Sequence, residues 1–301
     1  MYWYIPALMA SLLWAAVVIV DKFVLTHHIK DAFSYQIIQA VTFIPPLLFL
    51  FFCSSFHGSL LLGIMILVLG MIFGLAFILY NKALLVEEVS RVTPLFYLTP
   101  IFVILLSALF LGEHLPPRRY IGIGLMVVSA ISVSFRWQNA KSLTFSISPA
   151  LFMILFLDLL IAGKDIIAKF MFSYINFWTY LFLFVLGNIL VRPFLLFIPG
   201  IRSRFIADLK SLPLRIYLLC FVNSAIVWAG FTLYFFAVSI TYVSLVSAVP
   251  STQPFFVFVF AMVLAVFYPE LINEDIAEKS AVIIKGIAAV IVLIGTYLIV
   301  A

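Results

Sequence analysis

The chain has 301 residues, of which 66% are hydrophobic and only 10% are charged, and its net charge is +5. A soluble domain of this length carries roughly a quarter charged residues, so the composition excludes a water-facing surface and predicts an integral membrane protein. Basic residues in short loops set membrane topology, so the net charge does not indicate nucleic acid as a partner. Only two cysteines occur, Cys53 and Cys220, and both lie among apolar residues. Neither a disulfide framework nor a metal cluster is therefore predicted.

Ten apolar segments approach the roughly 20 residues that a helix needs to cross a bilayer. The first segment has neither a basic region before it nor a small-residue cleavage site, so we expect a retained span rather than a signal peptide. None of the ten alternates as a transmembrane strand does, so helices are predicted. The predicted spans are 4–24, 33–52, 60–80, 89–111, 120–135, 149–172, 177–198, 214–238, 243–267 and 280–300.

Related residues recur in the same order in the two halves of the chain. Each half holds five spans, an odd number, so the second half must lie upside down relative to the first. This is the plan of secondary transporters, whose substrate site lies near mid-membrane between the halves. We predict an all-α integral membrane fold of ten transmembrane helices, arranged as two inverted five-helix repeats at residues 1–138 and 146–301. A loop at 202–210 accommodates a change in spacing between the halves. The matched pairs are Lys22 with Lys169 and Pro46 with Pro193 at a spacing of 147 residues, and Tyr80 with Tyr234, Ser90 with Ser244 and Pro100 with Pro254 at a spacing of 154.

Five motifs occur in a fixed order: Trp14, Tyr80-x-x-Ala83, Ser90-x-x-x-Pro94-x5-Pro100, Leu111-Gly112-Glu113 and the Gly122-rich fifth span. In order and spacing they resemble EamA-type members of the drug/metabolite transporter superfamily, over essentially the whole chain. The second half departs from the pattern, because Ala248 aligns with Pro94 and Glu270 is displaced from the expected Gly-Glu position. The Asp21-Lys22 ending of the first span resembles a bacterial subgroup. The resemblance implies ten helices, a central cavity and transport of small metabolites.

Charged residues within predicted spans are candidates for a substrate or coupling site, because a charge at the bilayer centre costs about 2.5–3.5 kcal/mol. In the sixth predicted span, Asp158, Asp165 and Lys169 lie seven and four residues apart, on one helix face. We expect Asp165 to pair with Lys169, and the stripe to line a wet cavity where a carboxylate exchanges a proton or holds a cationic substrate. The alternative is a neutralised pair that reaches the membrane interface. Lys164 lies in the same span.

Two further basic positions are candidates. Lys22 and Lys169 match between the halves and end their spans, so they are either interfacial anchors or a pair at the cavity mouth that attracts an anion. Asp21 is expected to neutralise Lys22. Arg192 lies deep in the seventh predicted span, so it is expected to face the bundle interior, either as a substrate contact or as a structural residue.

Aromatic and amide residues complete the candidate site. Trp14, Tyr80, Trp228 and Tyr234 lie on spans that would line a cavity, although packing and interface belts also use aromatic residues. Gln253 precedes a proline, where a broken helix would free backbone carbonyls for a ligand. Its alternative role is a hydrogen bond between helices.

Three other features have structural interpretations. Glu113 is expected to cap the fifth helix at its positive end. Gly70-x-x-x-Gly74 predicts a close helix approach, either within the fold or in a dimer. No histidine has a carboxylate at metal-ligand spacing and no phosphate-binding loop occurs, so no catalytic residue, metal or cofactor is predicted.

These features favour a secondary transporter that exports a small organic metabolite, with export coupled to a proton or substrate gradient. The alternative is a membrane-embedded enzyme acting on a lipid-linked substrate, which would need clustered His, Asp or Arg side chains at one membrane face. A channel is a third hypothesis. The expected partners are the small-molecule substrate and the lipid bilayer, for a monomer or a homodimer. The expected location is the bacterial inner membrane.

Overall fold

A computed structural model describes residues 2–29, 31–55, 59–86, 98–134 and 149–253, and the short stretches 255–257, 259–260, 263, 287, 290–292 and 294–299. Across these residues the chain forms helices and connecting turns, with no strand. The described residues include two 3-10 helices, Arg192–Phe197 and Val249–Thr252. The α-helices are α1 (Tyr4–His27), α2 (Ala32–Thr42), α3 (Ile44–Cys53), α4 (Leu60–Val86), α5 (Thr99–Phe110), α6 (Pro117–Ser134), α7 (Pro149–Met171), α8 (Phe177–Val191), α9 (Pro199–Ser211), α10 (Leu214–Ile240) and α11 (Val243–Val246).

Several of these helices meet the requirements for crossing a bilayer. Within the described residues, α1, α4, α10 and the segment Phe177–Phe197 are long and apolar enough, and the bent pair of α2 and α3 adds a fifth candidate. The predicted class, an all-helical integral membrane protein, is therefore confirmed. The predicted fourth, ninth and tenth spans extend outside the described residues, so the count of ten stays a prediction.

Prolines break two of the membrane segments. α2 and α3 meet at Phe43 with a bend of 42°, just before Pro45 and Pro46. α8 changes to a 3-10 helix at Arg192, beside Pro193. Proline lacks the N–H of a helical hydrogen bond and clashes with the preceding turn, which accounts for both breaks. The matched prolines of the sequence thus lie at corresponding breaks.

The second membrane segments of the two halves run in opposite directions. At the start of α2, Asp31 Oδ1 lies 3.2 Å from Arg204 Nε in α9, which follows the end of the α8 segment. After α3, the backbone N–H of Ser55 donates to Thr179 Oγ1 at the start of α8, with an N–O distance of 3.1 Å. The α2–α3 pair is therefore antiparallel to α8. Inverted halves require this arrangement, although the complete repeat and its boundary at 139–145, outside the described residues, stay predictions.

Glycines allow α4 and α8 to cross with their backbones in contact. A Cβ atom on Gly187 would lie 2.0 Å from the carbonyl oxygen of Leu67, and one on Gly70 would lie 2.1 Å from that of Phe184. Only residues without a side chain fit such a crossing. The interpretation of Gly70-x-x-x-Gly74 as a contact within the fold is confirmed.

The predicted loop at 202–210 is wrong, because these residues belong to α9. Pro199 occupies the first turn, where its fixed backbone angle favours a helix start. Ile201 is buried while most of the helix is exposed. α9 is thus an additional surface helix between two membrane segments.

Candidate functional site

A cavity of about 210 Å³ lies among α1, α4, α7 and α10, with further walls from α2, α5, α8 and the chain after α11. The two halves contribute equally: thirteen of the described lining residues come from positions 14–100 and thirteen from 161–253. α1 packs along α10 and α7 packs along α4, so the first helix of each half contacts the third helix of the other.

Seven of the ten sequence-predicted site residues border this cavity. Their part in binding or coupling stays a prediction, but they share one space. Lys22, Asp158 and Lys169 are not among the described residues that line it. The seven that do are Trp14, Tyr80, Asp165, Arg192, Trp228, Tyr234 and Gln253.

The expected pair of Asp165 with Lys169 is wrong. Asp165 Oδ1 instead lies 2.7 Å from Lys164 Nζ, and both side chains are buried. The hydroxyl of Tyr234 donates to Asp165 Oδ2 over 2.7 Å. A buried ammonium needs an opposite charge within reach, and the flexible lysine chain brings Lys164 back onto its neighbour.

Aromatic rings surround the Lys164 ammonium. Its Nζ lies 4.7 Å from the ring centroid of Phe235, 5.0 Å from Phe73, 5.4 Å from Tyr234 and 5.6 Å from Phe231. At these distances the ring quadrupoles attract a cation. The sequence shows Lys164 in the same span as the polar stripe but does not show that the rings of α4 and α10 converge on it.

Lys169 and Asp158 do not line the cavity themselves, although Thr99, the partner of Asp158, does. Lys169 Nζ donates to the carbonyl oxygens of Val238 at 2.9 Å and Thr241 at 2.7 Å, which are free acceptors at the C-terminal end of α10. Asp158 accepts a hydrogen bond of 2.6 Å from Thr99 Oγ1. Asp158 lies seven residues before Asp165, about 10 Å along the helix, so the two carboxylates have different partners although they share a helix face.

Asp21, which was predicted to neutralise Lys22, lines the cavity. Its Oδ1 accepts hydrogen bonds from the Tyr35 hydroxyl and, at 2.7 Å, from Asn223 Nδ2. Lys22 is exposed. The expected neutralisation of Lys22 by Asp21 is therefore wrong, because Asp21 has partners on α2 and α10 inside the bundle.

Arg192 carries a charge that the described residues do not neutralise. Its side chain is 3% exposed, and none of the described carboxylates lies within ion-pair distance of it. Nη1 donates to the backbone carbonyl oxygen of Gln36 at a long distance of 3.4 Å. The guanidinium carbon lies 5.1 Å from the Phe43 ring centroid. Nε has no hydrogen-bond partner within the described protein.

Unpartnered polar atoms are concentrated on the cavity walls. Buried polar groups almost always have hydrogen-bond partners, so such a group suggests a site for polar molecules. Within the described part of the chain, six cavity residues each have a buried side-chain atom with neither a hydrogen-bond partner nor an ion pair in the protein. They are Gln36 Oε1, Asn81 Nδ2, Asn188 Oδ1, Arg192 Nε, Trp228 Nε1 and Ser251 Oγ.

Glu113 caps a different helix from the one expected. Its carboxylate accepts hydrogen bonds from the backbone N–H of Val243 at 2.9 Å, from that of Ser244 at 3.2 Å and from Ser244 Oγ at 2.6 Å. It therefore binds the start of α11, not of α6. The positive φ of 63° at Gly112 redirects the chain just before Glu113. Together with Lys169, Glu113 holds the turn between α10 and α11 from both sides, and we call these two residues the charge clamp.

Cavity positions recur at the two spacings that the sequence showed. In seven pairs of described residues both members line the cavity, at a spacing of 147 in the first predicted span of each half and of 154 in the third and fourth. Only two of these pairs consist of identical residues, Tyr80 with Tyr234 and Phe77 with Phe231. The others are Trp14 with Ile161, Val17 with Lys164, Val18 with Asp165, Phe73 with Val227 and Thr99 with Gln253.

These features define a helical membrane protein with a polar and aromatic cavity between its halves. The EamA-like transporter family matches residues 1–135, which confirms the predicted resemblance for this part of the chain. No curated protein matches the chain. A solved structure, described as a crystal structure of a protein, matches with a TM-score of 0.66 at 14% sequence identity. The match covers 98% of this chain and 95% of the chain in that structure. At this identity the likeness shows a shared fold alone.

Proposed function

We propose that the protein is a secondary active transporter that carries a small organic metabolite through the central cavity by alternating access. The observation that carries this proposal is the set of matched pairs around the cavity. Because corresponding positions of both halves line one space, the exchange of conformations between the halves would move the opening of that space from one membrane face to the other.

Broken helices supply the points at which the walls can move. The bend at Phe43, the change to a 3-10 helix at Arg192 and the irregular segment through Pro250 and Gln253 all border the cavity. Interrupted helices at mid-membrane are typical of transporter substrate sites, because they expose backbone groups and allow local rearrangement.

Export coupled to a proton or substrate gradient is part of the proposal, as is location in the bacterial inner membrane. Asp21 supports proton coupling, because a carboxyl group on a cavity wall can take up and release a proton. Its partners Tyr35 and Asn223 lie on α2 and α10, so a change in its protonation would alter contacts between the two halves.

The test is counterflow of pooled metabolites in liposomes that contain the purified protein. Val227 lines the cavity and Val222, on the same helix, is 52% exposed on its outer face. We expect Val227→Trp to fill the cavity and abolish counterflow, while Val222→Trp leaves it unchanged. Equal counterflow by both variants would refute transport through this cavity. Chemical conversion of a lipid-linked substrate without counterflow would support an enzyme instead.

A further inference from the structure

The permanent charge without a counter-ion on the described cavity wall is positive. A guanidinium remains protonated in proteins, whereas a buried carboxyl such as Asp21 can become neutral by taking up a proton. Lys164 is neutralised by Asp165 at 2.7 Å. Among the described residues this leaves Arg192 as the permanently charged cavity residue without a counter-ion, and an unpaired buried charge is strongly unfavourable.

The site that would suit a substrate ammonium is already occupied. Asp165 and the rings of Phe73, Tyr234 and Phe235 form a cage around a cation, and that cation is the protein's own Lys164. A cationic substrate would have to displace a covalently attached ammonium from a carboxylate 2.7 Å away. The expected role of this stripe in holding a cationic substrate is therefore disfavoured.

Two groups that can only donate hydrogen bonds lie near one aromatic ring. Phe43 is 5.1 Å from the Arg192 guanidinium carbon and its ring centroid is 5.1 Å from that of Trp228. Arg192 Nε and Trp228 Nε1 are both buried without an acceptor in the described protein. Neither group can satisfy the other, so both require oxygen acceptors from a molecule in the cavity.

We propose that the substrate is a small organic monocarboxylate whose carboxylate binds Arg192 and whose apolar body packs on the aromatic wall around Phe43 and Trp228. This proposal rests on the proposed transport function. A single negative charge matches the single unpaired guanidinium, and the planar fork of arginine is suited to carboxylate oxygens. The volume of about 210 Å³ limits the body to a small metabolite.

The experiment measures binding of matched probes to the purified full-length protein by isothermal titration calorimetry. Phenylacetate, phenylacetamide and 2-phenylethylamine share one body and differ in charge, and phenyl phosphate supplies a second negative charge. Hexanoate and hexanamide repeat the comparison with an aliphatic body. We expect each carboxylate to bind at least about tenfold more tightly than its amide or amine, since hydrogen bonds to charged groups are the stronger ones.

Arg192→Gln should weaken phenylacetate binding by about tenfold or more, and Arg192→Lys should retain an intermediate affinity. Arg202→Gln, which removes an exposed arginine of α9, is the matched control and should bind as the unaltered protein does. If Arg192→Gln does not yield folded protein, the selectivity of the unaltered protein and the Arg192→Lys variant decide the question.

The proposal fails if neither carboxylate binds, if an amide, the amine or phenyl phosphate binds as tightly as the carboxylate, or if folded Arg192→Gln binds phenylacetate normally. The proposed transport function fails separately. Selective carboxylate binding without counterflow of any metabolite would support the carboxylate site and refute the transport function. Counterflow of neutral or cationic metabolites alone, blocked by Val227→Trp, would support transport through the cavity and refute the carboxylate site.

Discussion

Each charged side chain near the cavity owes its role to its nearest partners. Lys164, Asp165 and Tyr234 form one connected group, in which the carboxylate contacts both other residues. Removing one member of a buried ion pair leaves the other charge without compensation, which costs about 3–5 kcal/mol. The adjacent pair on α7 is therefore expected to matter first for folding.

Asp165→Asn should lower the yield of folded protein, because it leaves the Lys164 ammonium without its counter-ion. Lys164→Gln combined with Asp165→Asn should restore the yield, whereas Lys169→Gln with Asp165→Asn should not, since Lys169 binds backbone carbonyls of α10. The monodisperse fraction in size-exclusion chromatography measures the outcome. Rescue by the Lys169 variant, or a normal yield of Asp165→Asn alone, would contradict the assigned pair.

At the scale of helices, the charge clamp fixes the turn that leads into one cavity wall. Glu113 accepts from the first backbone groups of α11, and Lys169 donates to the last carbonyls of α10. Anions stabilise helix starts and cations stabilise helix ends. The residues after this turn include Ser247, Ser251 and Gln253, so the clamp determines where that wall begins.

Glu113→Ala should reduce thermal stability clearly, because it leaves the backbone N–H groups of Val243 and Ser244 buried without acceptors. Each such group costs about 1–3 kcal/mol. Ser244→Ala removes only one hydroxyl donor to the same carboxylate and should have a smaller effect. Melting temperatures of the purified variants in detergent give the comparison. Equal melting temperatures for Glu113→Ala and the unaltered protein would show that the clamp does not stabilise the turn.

At the scale of the whole molecule, apolar length and matched motifs were sufficient to predict a helical membrane fold with Trp14, Tyr80, Arg192 and Tyr234 around one cavity. Helical spacing could not show which lysine pairs with Asp165, because the flexible side chain of Lys164, one residue away, can reach it as well as that of Lys169, four residues away. Nor could it show that Glu113 binds α11, since that contact joins residues 130 positions apart. Contacts between halves depend on packing that no local pattern contains.

The relative orientation of the halves gives the last prediction. In the ten-span prediction five crossings separate Ser59 from Ser203, so the two positions must lie on opposite sides of the membrane. The structure supports this, because Ser55 contacts Thr179 at the start of α8 whereas α9 follows its far end. A 21-residue helical segment between these points spans about 30 Å, the thickness of a bilayer core.

With Cys53 and Cys220 replaced by serine, Ser59→Cys and Ser203→Cys should therefore differ in labelling by a membrane-impermeant maleimide. One should react in intact cells and the other only after permeabilisation, with total labelling in detergent as the control. Two halves in the same orientation would place both positions on one side, so equal labelling of intact cells would rule out the inverted arrangement.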